Sequence, residues 1–401
     1  MTRTLYRGAA LADGRGPELR VGMSLLVEDG RIAWIAPDEH ELAARQGARP
    51  GEVELVDASG ATIVPGLVDG HSHVTGPGGA HWTERFGDPP ATLLAVAERN
   101  GRLAAQAGVR WLRDVGSPIG EDPIDGRRRA LALGLRDRWR DRPEMPYLRA
   151  AGTWLMRRGT LPGVPTEEAD DADQLLAAAV RQLDDGADLL KLYLDGPDPA
   201  TAPWTAEEVS RVVAAAHARG IPVTAHAGRL SGAQAAVAGG VDAIEHGFEL
   251  DADVVARMAA RGTRLVTTLA VFRSWHTFAR TTDLERFSSP EGRRRIGERE
   301  EAAQASAWLA HRAGVAISTG TDFGGGSLRA NQLAWEVEAL VLAGLQPWEA
   351  LAAATWRGGE LLGEPEAGVL HEGGPADFVL VHGDPLSDPS ALWRVWRRGW
   401  E

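Results

Sequence analysis

One repeated pattern constrains the fold of this chain more than any other feature. A helical stretch ends in Gly, a short apolar or β-branched run follows, and a polar or glycine-rich loop comes next. The pattern occurs in AGVRWLRDVG, DGADLLKLYLDG, RGIPVTAHAG, GGVDAIEHG, RGTRLVTTL and AGVAISTGTD. Gly is the favoured residue just after a helix, and short apolar runs are typical of buried parallel strands. The repeat therefore predicts helices alternating with parallel strands.

The number of strands identifies the architecture. Two further segments, IVPGLVDG and PYLRAAGT, complete a set of eight. The predicted strands cover residues 63–69, 109–115, 147–152, 188–194, 221–226, 241–246, 264–269 and 315–320. Eight strand–helix units favour an α/β fold of the (β/α)8 TIM-barrel type, which takes roughly 250 residues before insertions. A doubly wound open sheet is the alternative, but the chain lacks a glycine-rich dinucleotide fingerprint.

The two ends of the chain have a different character. VGMSLLVEDGRIAWIAP alternates apolar residues around Asp29-Gly30, which is typical of a hairpin. ADFVLVHGD near the C-terminus reads as another strand. We therefore predict that residues 1–62 and 365–401 together form a small β-sandwich, and that residues 63–364 form the barrel.

Charge and hydropathy limit the partners. The formal charge is −13 over 401 residues, which argues against nucleic acid or an anionic membrane as the main partner. No apolar run approaches the roughly 20 residues of a membrane helix, and the N-terminus lacks the apolar core of a secretory signal. We expect a cytoplasmic protein with a small-molecule substrate. The 14 tryptophans leave room for a homo-oligomeric interface.

Metal-binding residue types gather where barrel enzymes place their sites, at the C-terminal ends of the strands. The residues at these positions are His71, His73, Lys191, His226, His246 and Asp322. A single histidine is more often a packed or surface residue, but this concentration at one rim predicts a metal site. The chain has no Cys, and imidazole with carboxylate suits zinc, manganese or iron. Six ligands exceed the needs of one tetrahedral ion, which favours two divalent ions.

Lys191 is the single lysine beside 42 arginines. A buried lysine has a lowered pKa and is more often neutral. A neutral amine can take up carbon dioxide and become a carbamate, an anion that can bridge two cations, whereas Arg stays protonated. The alternative is an ion pair between Lys191 and Asp195 or Asp322.

Several motifs resemble those of the amidohydrolase superfamily of metal-dependent hydrolases over essentially the whole chain. These are VPGLVDGHSH, the Lys191 strand, TAHA, IEHG, STGTD and ADFVLVHGDPL. RDVG and LAGLQPWEALAAAT are most similar to the imidazolonepropionase-like branch, which includes Xaa-Pro dipeptidases. The family's architecture also includes a barrel with a sandwich built from both chain ends.

The resemblance implies a role for each strand-end residue. In binuclear members, His71, His73 and Asp322 would bind the more buried metal, and His226 and His246 the more exposed one. Carboxylated Lys191 would bridge both together with a hydroxide. Asp322 would take the proton from this hydroxide and pass it to the leaving nitrogen, as general acid–base catalysis requires.

The substrate contacts are less constrained. Dipeptidase-like relatives often have an aromatic residue where this chain has Arg229. Tyr193 shares a strand face with Lys191, although it could equally pack inside the barrel. The loops after the third and seventh strands contribute Trp154, Arg157 and His276. Aromatic and arginine side chains suit an apolar acyl group and a carboxylate, although an isolated Arg is more often a surface charge.

Three functions stay open from the sequence. The first is a binuclear hydrolase of an amide bond, in a dipeptide or an N-acyl amino acid, with zinc as the expected metal. The second is a hydrolase or deaminase of a cyclic amide or amidine, of imidazolonepropionase type, with one metal. The third is a binding barrel without chemistry, against which the complete ligand set argues.

Overall fold

The computed structural model describes residues 3–38, 53–161, 163–327 and 329–401. Its strands are β1 (Arg3–Leu11), β2 (Arg20–Glu28), β3 (Arg31–Pro37), β4 (Glu54–Asp57), β5 (Ala61–Pro65), β6 (Leu67–Ser72), β7 (Val109–Asp114), β8 (Ile119–Glu121), β9 (Arg128–Ala130), β10 (Tyr147–Arg157), β11 (Glu167–Ala169), β12 (Leu189–Tyr193), β13 (Val223–Ala227), β14 (Ala243–His246), β15 (Arg264–Thr267), β16 (Ile317–Thr319), β17 (Phe378–His382) and β18 (Val395–Arg398).

The helices lie mainly between the barrel strands. They are α1 (Trp82–Arg85), α2 (Pro90–Gln106), α3 (Leu131–Trp139), α4 (Ala172–Asp184), α5 (Ala206–His217), α6 (Leu230–Gly239), α7 (Ala252–Arg261), α8 (Ala270–Phe278), α9 (Glu285–Ser288), α10 (Pro290–Arg312), α11 (Leu333–Leu342), α12 (Pro347–Ala353) and α13 (Trp356–Leu362). A short 3-10 helix spans Pro389–Trp393. Within the described ranges, no helix is long and apolar enough to cross a membrane.

The predicted barrel is confirmed. The parallel strands pair in the order β6, β7, β10, β12, β13, β14, β15, β16, which is their order along the chain. The first and last strands then meet, since the Thr319 hydroxyl donates to the Val68 carbonyl at 3.1 Å. Just beyond, the Asp322 amide donates to the His71 carbonyl at 2.9 Å. This closure brings the first and eighth strand ends side by side.

A change of sheet at Gly66 shifts one predicted boundary. The predicted first strand, 63–69, covers the end of β5 and the start of β6, which belong to different sheets. The Gly66 amide donates to the Asp377 carbonyl at 2.8 Å. A Cβ at this position would come within 2.8 Å of the Arg110 Cβ. Only glycine fits where the chain passes from one sheet to the other. Because the residues on both sides of Gly66 are apolar, the sequence gives no sign that one strand ends there and another begins.

A second, separate sheet is built from both ends of the chain, as predicted. Its strands pair in the order β18, β17, β5, β1, β2, β3, with β4 also pairing β1. Tyr6, Leu25, Ile63 and Phe378 bury their side chains in a core of its own. The division into residues 1–62 plus 365–401 and residues 63–364 stays a prediction, and residues 1, 2 and 39–52 lie outside the described residues.

The helices bury the apolar faces that their spacing predicts. In α5, Thr205 and Glu208 form a reciprocal capping box at the helix start. Val209, Val212 and Val213 are buried on the inner face of the same helix. Helices packed in this way hold the strands in register and fix the positions of the residues at their ends.

Candidate active site

Three histidines point one ring nitrogen away from the barrel mouth. The Nδ1 of His71 lies 2.7 Å from a Glu245 oxygen, and the Nδ1 of His73 lies 2.8 Å from the Gly116 carbonyl. The Nδ1 of His246 lies 2.8 Å from the Thr268 hydroxyl. Partners of this kind hold the proton on Nδ1 and leave Nε2 as the lone-pair donor for a metal.

Asp322 faces these histidines from the end of the eighth strand. Its Oδ1 lies 3.5 Å from Nε2 of His71 and 3.3 Å from Nε2 of His73, and its Oδ2 accepts a hydrogen bond from the Gly326 amide at 3.2 Å. Burial alone would raise the pKa of Asp322, but the two imidazoles hold it well below its usual range. The carboxylate is therefore ionised at neutral pH.

Backbone strain marks the same place. Asp322 has a φ of 53° and His246 a φ of 73°. Both angles lie in the left-handed region of the backbone, which residues other than glycine rarely adopt. Non-glycine residues in this region persist where the surrounding structure fixes them, and they cluster at active sites. Ligand atoms of His71, His246 and Asp322 lie within 4.8 Å of one another, so these three could hold one metal ion.

Lys191 lines the same cavity as His71, His246 and Asp322. Its side chain is 1% exposed, and its Nζ has no hydrogen-bond partner in the described part of the chain. Burial, with a contribution from the Arg113 charge, lowers the pKa of Lys191 to about 8, although Glu245 and Asp322 oppose the shift. The alternative prediction was an ion pair between Lys191 and Asp195 or Asp322. Among the described residues, Lys191 does not form this pair.

His226 lies beside this group but is engaged elsewhere. Its ring stacks on Tyr193 with centroids 4.0 Å apart, and its Nε2 lies 3.3 Å from a carboxylate oxygen of Asp195. The His226 and His246 rings approach to 4.5 Å between centroids. His226 therefore borders the three-residue cluster without belonging to it.

Asp195 was not among the predicted site residues. It accepts hydrogen bonds from the backbone amides of Gly228 and Arg229 at 3.1 and 3.2 Å. The signal for it was present in the sequence, since it lies at even spacing from Lys191 and Tyr193 on the same strand end.

Glu245 was also missed, and it connects four barrel strands. It is fully buried and accepts hydrogen bonds from His71, from the Arg113 guanidinium and from the Thr224 hydroxyl. Arg113 also donates from Nε to the Gly70 carbonyl at 2.6 Å. Burial would raise the pKa of Glu245, but the Arg113 charge and the hydrogen bond from His71 hold it well below its usual range. An acid inside an apolar strand was the available sequence signal.

All six predicted metal ligands line one cavity of about 320 Å³. Tyr193, Arg229 and Trp154, which we predicted as substrate contacts, also line it. Residues of the wall that were not predicted as contacts include Leu161, Phe248, Arg286 and Arg299. A larger cavity of about 730 Å³ opens elsewhere, around Arg113, His217 and Asp242, and none of the predicted ligands lines it.

Two predicted substrate contacts lie away from the cavity wall. Arg157 donates to the carbonyls of Pro203 and Asp170, both at 3.1 Å. His276 places its Nε2 2.9 Å from a Glu300 oxygen on the protein surface. The geometry gives no support to a substrate role for either side chain.

Comparison with known proteins places this geometry in context. The profile of the amidohydrolase family matches residues 62–397. The ochratoxinase of Aspergillus niger is 27% identical over 99% of this chain and 86% of its own. An imidazolonepropionase of Salinispora arenicola is 27% identical over 96% of this chain and 91% of its own. The solved structure of a Xaa-Pro dipeptidase with bound methionine superimposes with a TM-score of 0.80 at 23% identity, covering 100% of this chain and 99% of the other.

Proposed function

Because the chain belongs to the amidohydrolase family and is a hydrolase of carbon–nitrogen bonds, we propose that it cleaves an amide bond in a small molecule such as a dipeptide or an N-acyl amino acid. The observation that carries the proposal is the buried, unpartnered amine of Lys191 beside the cluster of His71, His246 and Asp322. A buried polar atom without a partner is rare and calls for a ligand.

The residues present fit a pair of divalent metal ions, and we propose zinc. The Nε2 atoms of His71 and His73 and a carboxylate oxygen of Asp322 already converge. The lowered pKa of Lys191 increases the neutral fraction of its amine. The neutral amine can add to carbon dioxide, forming an N–C bond and releasing one proton, which leaves an anionic carbamate. Lys191, His226 and His246 would then complete the ligand set. Divalent ions bound there would polarise the amide carbonyl and lower the pKa of a bound water.

Asp322 supplies the proton transfer in this proposal. Its carboxylate is ionised at neutral pH and lies beside the predicted metal ligands His71 and His73, where it could accept a proton from the attacking water. The same group would then deliver that proton to the nitrogen of the leaving amine. A positioned acid–base group contributes typically about 10²–10⁴-fold to the rate.

The cavity wall supports a small substrate with an apolar part. Trp82, Trp154 and Trp275 line a space of about 320 Å³, which is at the lower end for ligand pockets.

The proposal includes a small-molecule substrate, a cytoplasmic location and a homo-oligomeric state. It includes neither nucleic acid nor a membrane as a partner.

One observation favours a second candidate, a mononuclear hydrolase or deaminase of a cyclic amide or amidine. The three clustered residues are enough for one ion, while the Nε2 of His226 faces Asp195 instead. Under this alternative, Lys191 would have no role as a bridge between two ions.

The test is hydrolysis of a panel of dipeptides, N-acyl amino acids and cyclic amides by the zinc-loaded protein. Asp322→Asn should lower turnover by about 10²–10⁴-fold while the protein retains metal. Asp253→Asn on the surface of α7 is the matched control and should leave turnover unchanged. Unchanged turnover in Asp322→Asn would remove the proton-transfer role, and turnover of cyclic amides alone would favour the second candidate.

A further inference from the structure

Arg299 differs from the other arginines of the cavity wall in its hydrogen bonding. It lies on α10 and lines the cavity, and its buried Nε has no hydrogen-bond partner in the described chain. The other two arginines of the wall are engaged, since Arg229 donates to the Gly196 carbonyl at 2.9 Å and Arg286 to the Ala80 carbonyl at 2.7 Å. A buried guanidinium donor left unpaired is costly, so this one is available to a ligand.

The guanidinium of Arg299 is held in place by packing. It lies over the Phe248 ring at 5.1 Å from the centroid. A Cβ at position 228 would lie only 3.0 Å from both Nη2 of Arg299 and Oδ2 of Asp195, so glycine there leaves room for both groups. Asp195 is the nearby acid, but its oxygens already accept from two backbone amides and approach His226.

The packing places this cation on one side of the predicted metal ligands. The Phe248 ring, on which Arg299 stacks, lies 5.3 Å from the His246 ring at the end of the sixth strand. On the other side, the Trp154 ring of the third strand lies 5.0 Å from the His73 ring. Trp154 packs in a cluster with Trp82, Leu161 and Tyr193, which forms an apolar wall.

We infer that Arg299 is a carboxylate subsite, and that the substrate carries its carboxylate toward Phe248 and an apolar acyl group toward Trp154. Arg presents a fixed fork of donors that matches a carboxylate. This inference rests on the proposed amide hydrolysis and deepens it, because it selects N-acyl amino acids with a large apolar acyl group. The scissile amide would then lie between the two walls, next to the predicted metal ligands.

The experiment compares two substrates that differ in one charge. An aromatic N-acyl amino acid and its C-terminal primary amide are assayed with zinc-loaded wild type, Arg299→Gln and Arg299→Lys. In Arg299→Gln, we expect kcat/KM for the carboxylate substrate to fall by about 10- to 100-fold, mainly through KM. The value for the amide substrate should change by less than about threefold, and Arg299→Lys should be intermediate. Arg312→Gln, an exposed position on the same helix, is the control.

A binding measurement separates this inference from the proposed function. Quenching of tryptophan fluorescence is titrated with 3-phenylpropionate and with 3-phenylpropanol on the zinc-loaded proteins. Wild type should bind the carboxylate at least about 10-fold more tightly, and Arg299→Gln should bind both compounds alike. Equal effects of Arg299→Gln on both substrates, or a retained preference for the carboxylate, would overturn the subsite. Absence of hydrolysis in wild type, with the binding preference intact, would overturn the proposed function alone.

Discussion

At the scale of single residues, Glu245 explains how one predicted metal ligand is oriented. Its carboxylate holds Nδ1 of His71 at 2.7 Å and is itself held by the buried Arg113. A partner of this kind fixes the tautomer of the imidazole and increases its basicity. A buried acid and a buried arginine would thus influence the proposed metal site without being metal ligands themselves.

Glu245→Gln should therefore weaken zinc binding by about 10- to 100-fold, because the neutral amide leaves His71 a poorer ligand. The measurement is competition for zinc with a chelator of known affinity. Asp377→Asn is the matched control, because it breaks another buried pair, with Arg110, outside the cavity. An equal loss of affinity in both variants would reduce the role of Glu245 to general stability.

At the scale of elements, α11 supports the start of α8, whose Val271 and Trp275 line the cavity. Glu336 of α11 is fully buried and accepts a hydrogen bond from the Ala270 amide at 2.6 Å. Burial raises the pKa of Glu336 to about 7, although this hydrogen bond opposes the shift. The carboxylate is therefore harder to ionise in the folded chain than in the unfolded one.

This raised pKa predicts a pH dependence of stability. The unfolded carboxyl ionises near pH 4.5 and the folded one near 7, so stability falls between these values and stays lower above them. Glu336→Gln removes the titration, and its free energy of unfolding should rise relative to wild type from pH 5 to pH 8. The gain is on the order of 3 kcal/mol, measured by urea unfolding. A difference that does not vary with pH, as we expect for the exposed control Glu372→Gln, would contradict the account.

The barrel strands could be predicted from the sequence, but most of the cavity wall could not. Six of the barrel strands follow a helix that ends in Gly, and two more apolar segments completed the predicted set of eight. Local pattern therefore located the strands and, with them, the residues at their ends. The contribution of α10 to the cavity wall could not be predicted from local pattern, because Arg299 is distant in sequence from the strand ends that it faces. Arg157 and His276 do not line the cavity, for a different reason. We placed both in loops, but Arg157 is the last residue of β10 and His276 lies within α8, where the local structure turns each side chain toward other partners.

At the scale of the whole molecule, Arg110 joins the barrel to the terminal sheet. It pairs with the buried Asp377 at 2.7 Å, and its guanidinium lies over the rings of Tyr147 and Trp400. Both charges are about 6% exposed, so neither is solvated when the pair is broken. The C-terminal segment is thereby fixed to the second barrel strand.

Asp377→Asn should cost about 3–5 kcal/mol of stability, because it leaves the Arg110 charge buried and unpaired. Denaturant unfolding measures the loss. Metal content and turnover per folded molecule should stay at the wild-type level, because the pair lies outside the cavity. Loss of metal at full stability would contradict this prediction, because it would show that the pair influences the metal site and not the stability of the fold.

In the proposed amide hydrolase, carboxylated Lys191 would bridge two metal ions, and the metal content per chain distinguishes this site from a site for one ion. The protein is purified without chelator or metal-binding tag and examined by elemental analysis, together with Lys191→Arg. We predict about two equivalents in wild type, with metal content and turnover lowered together in Lys191→Arg. About one equivalent in wild type, unchanged in Lys191→Arg, would contradict the two-metal site.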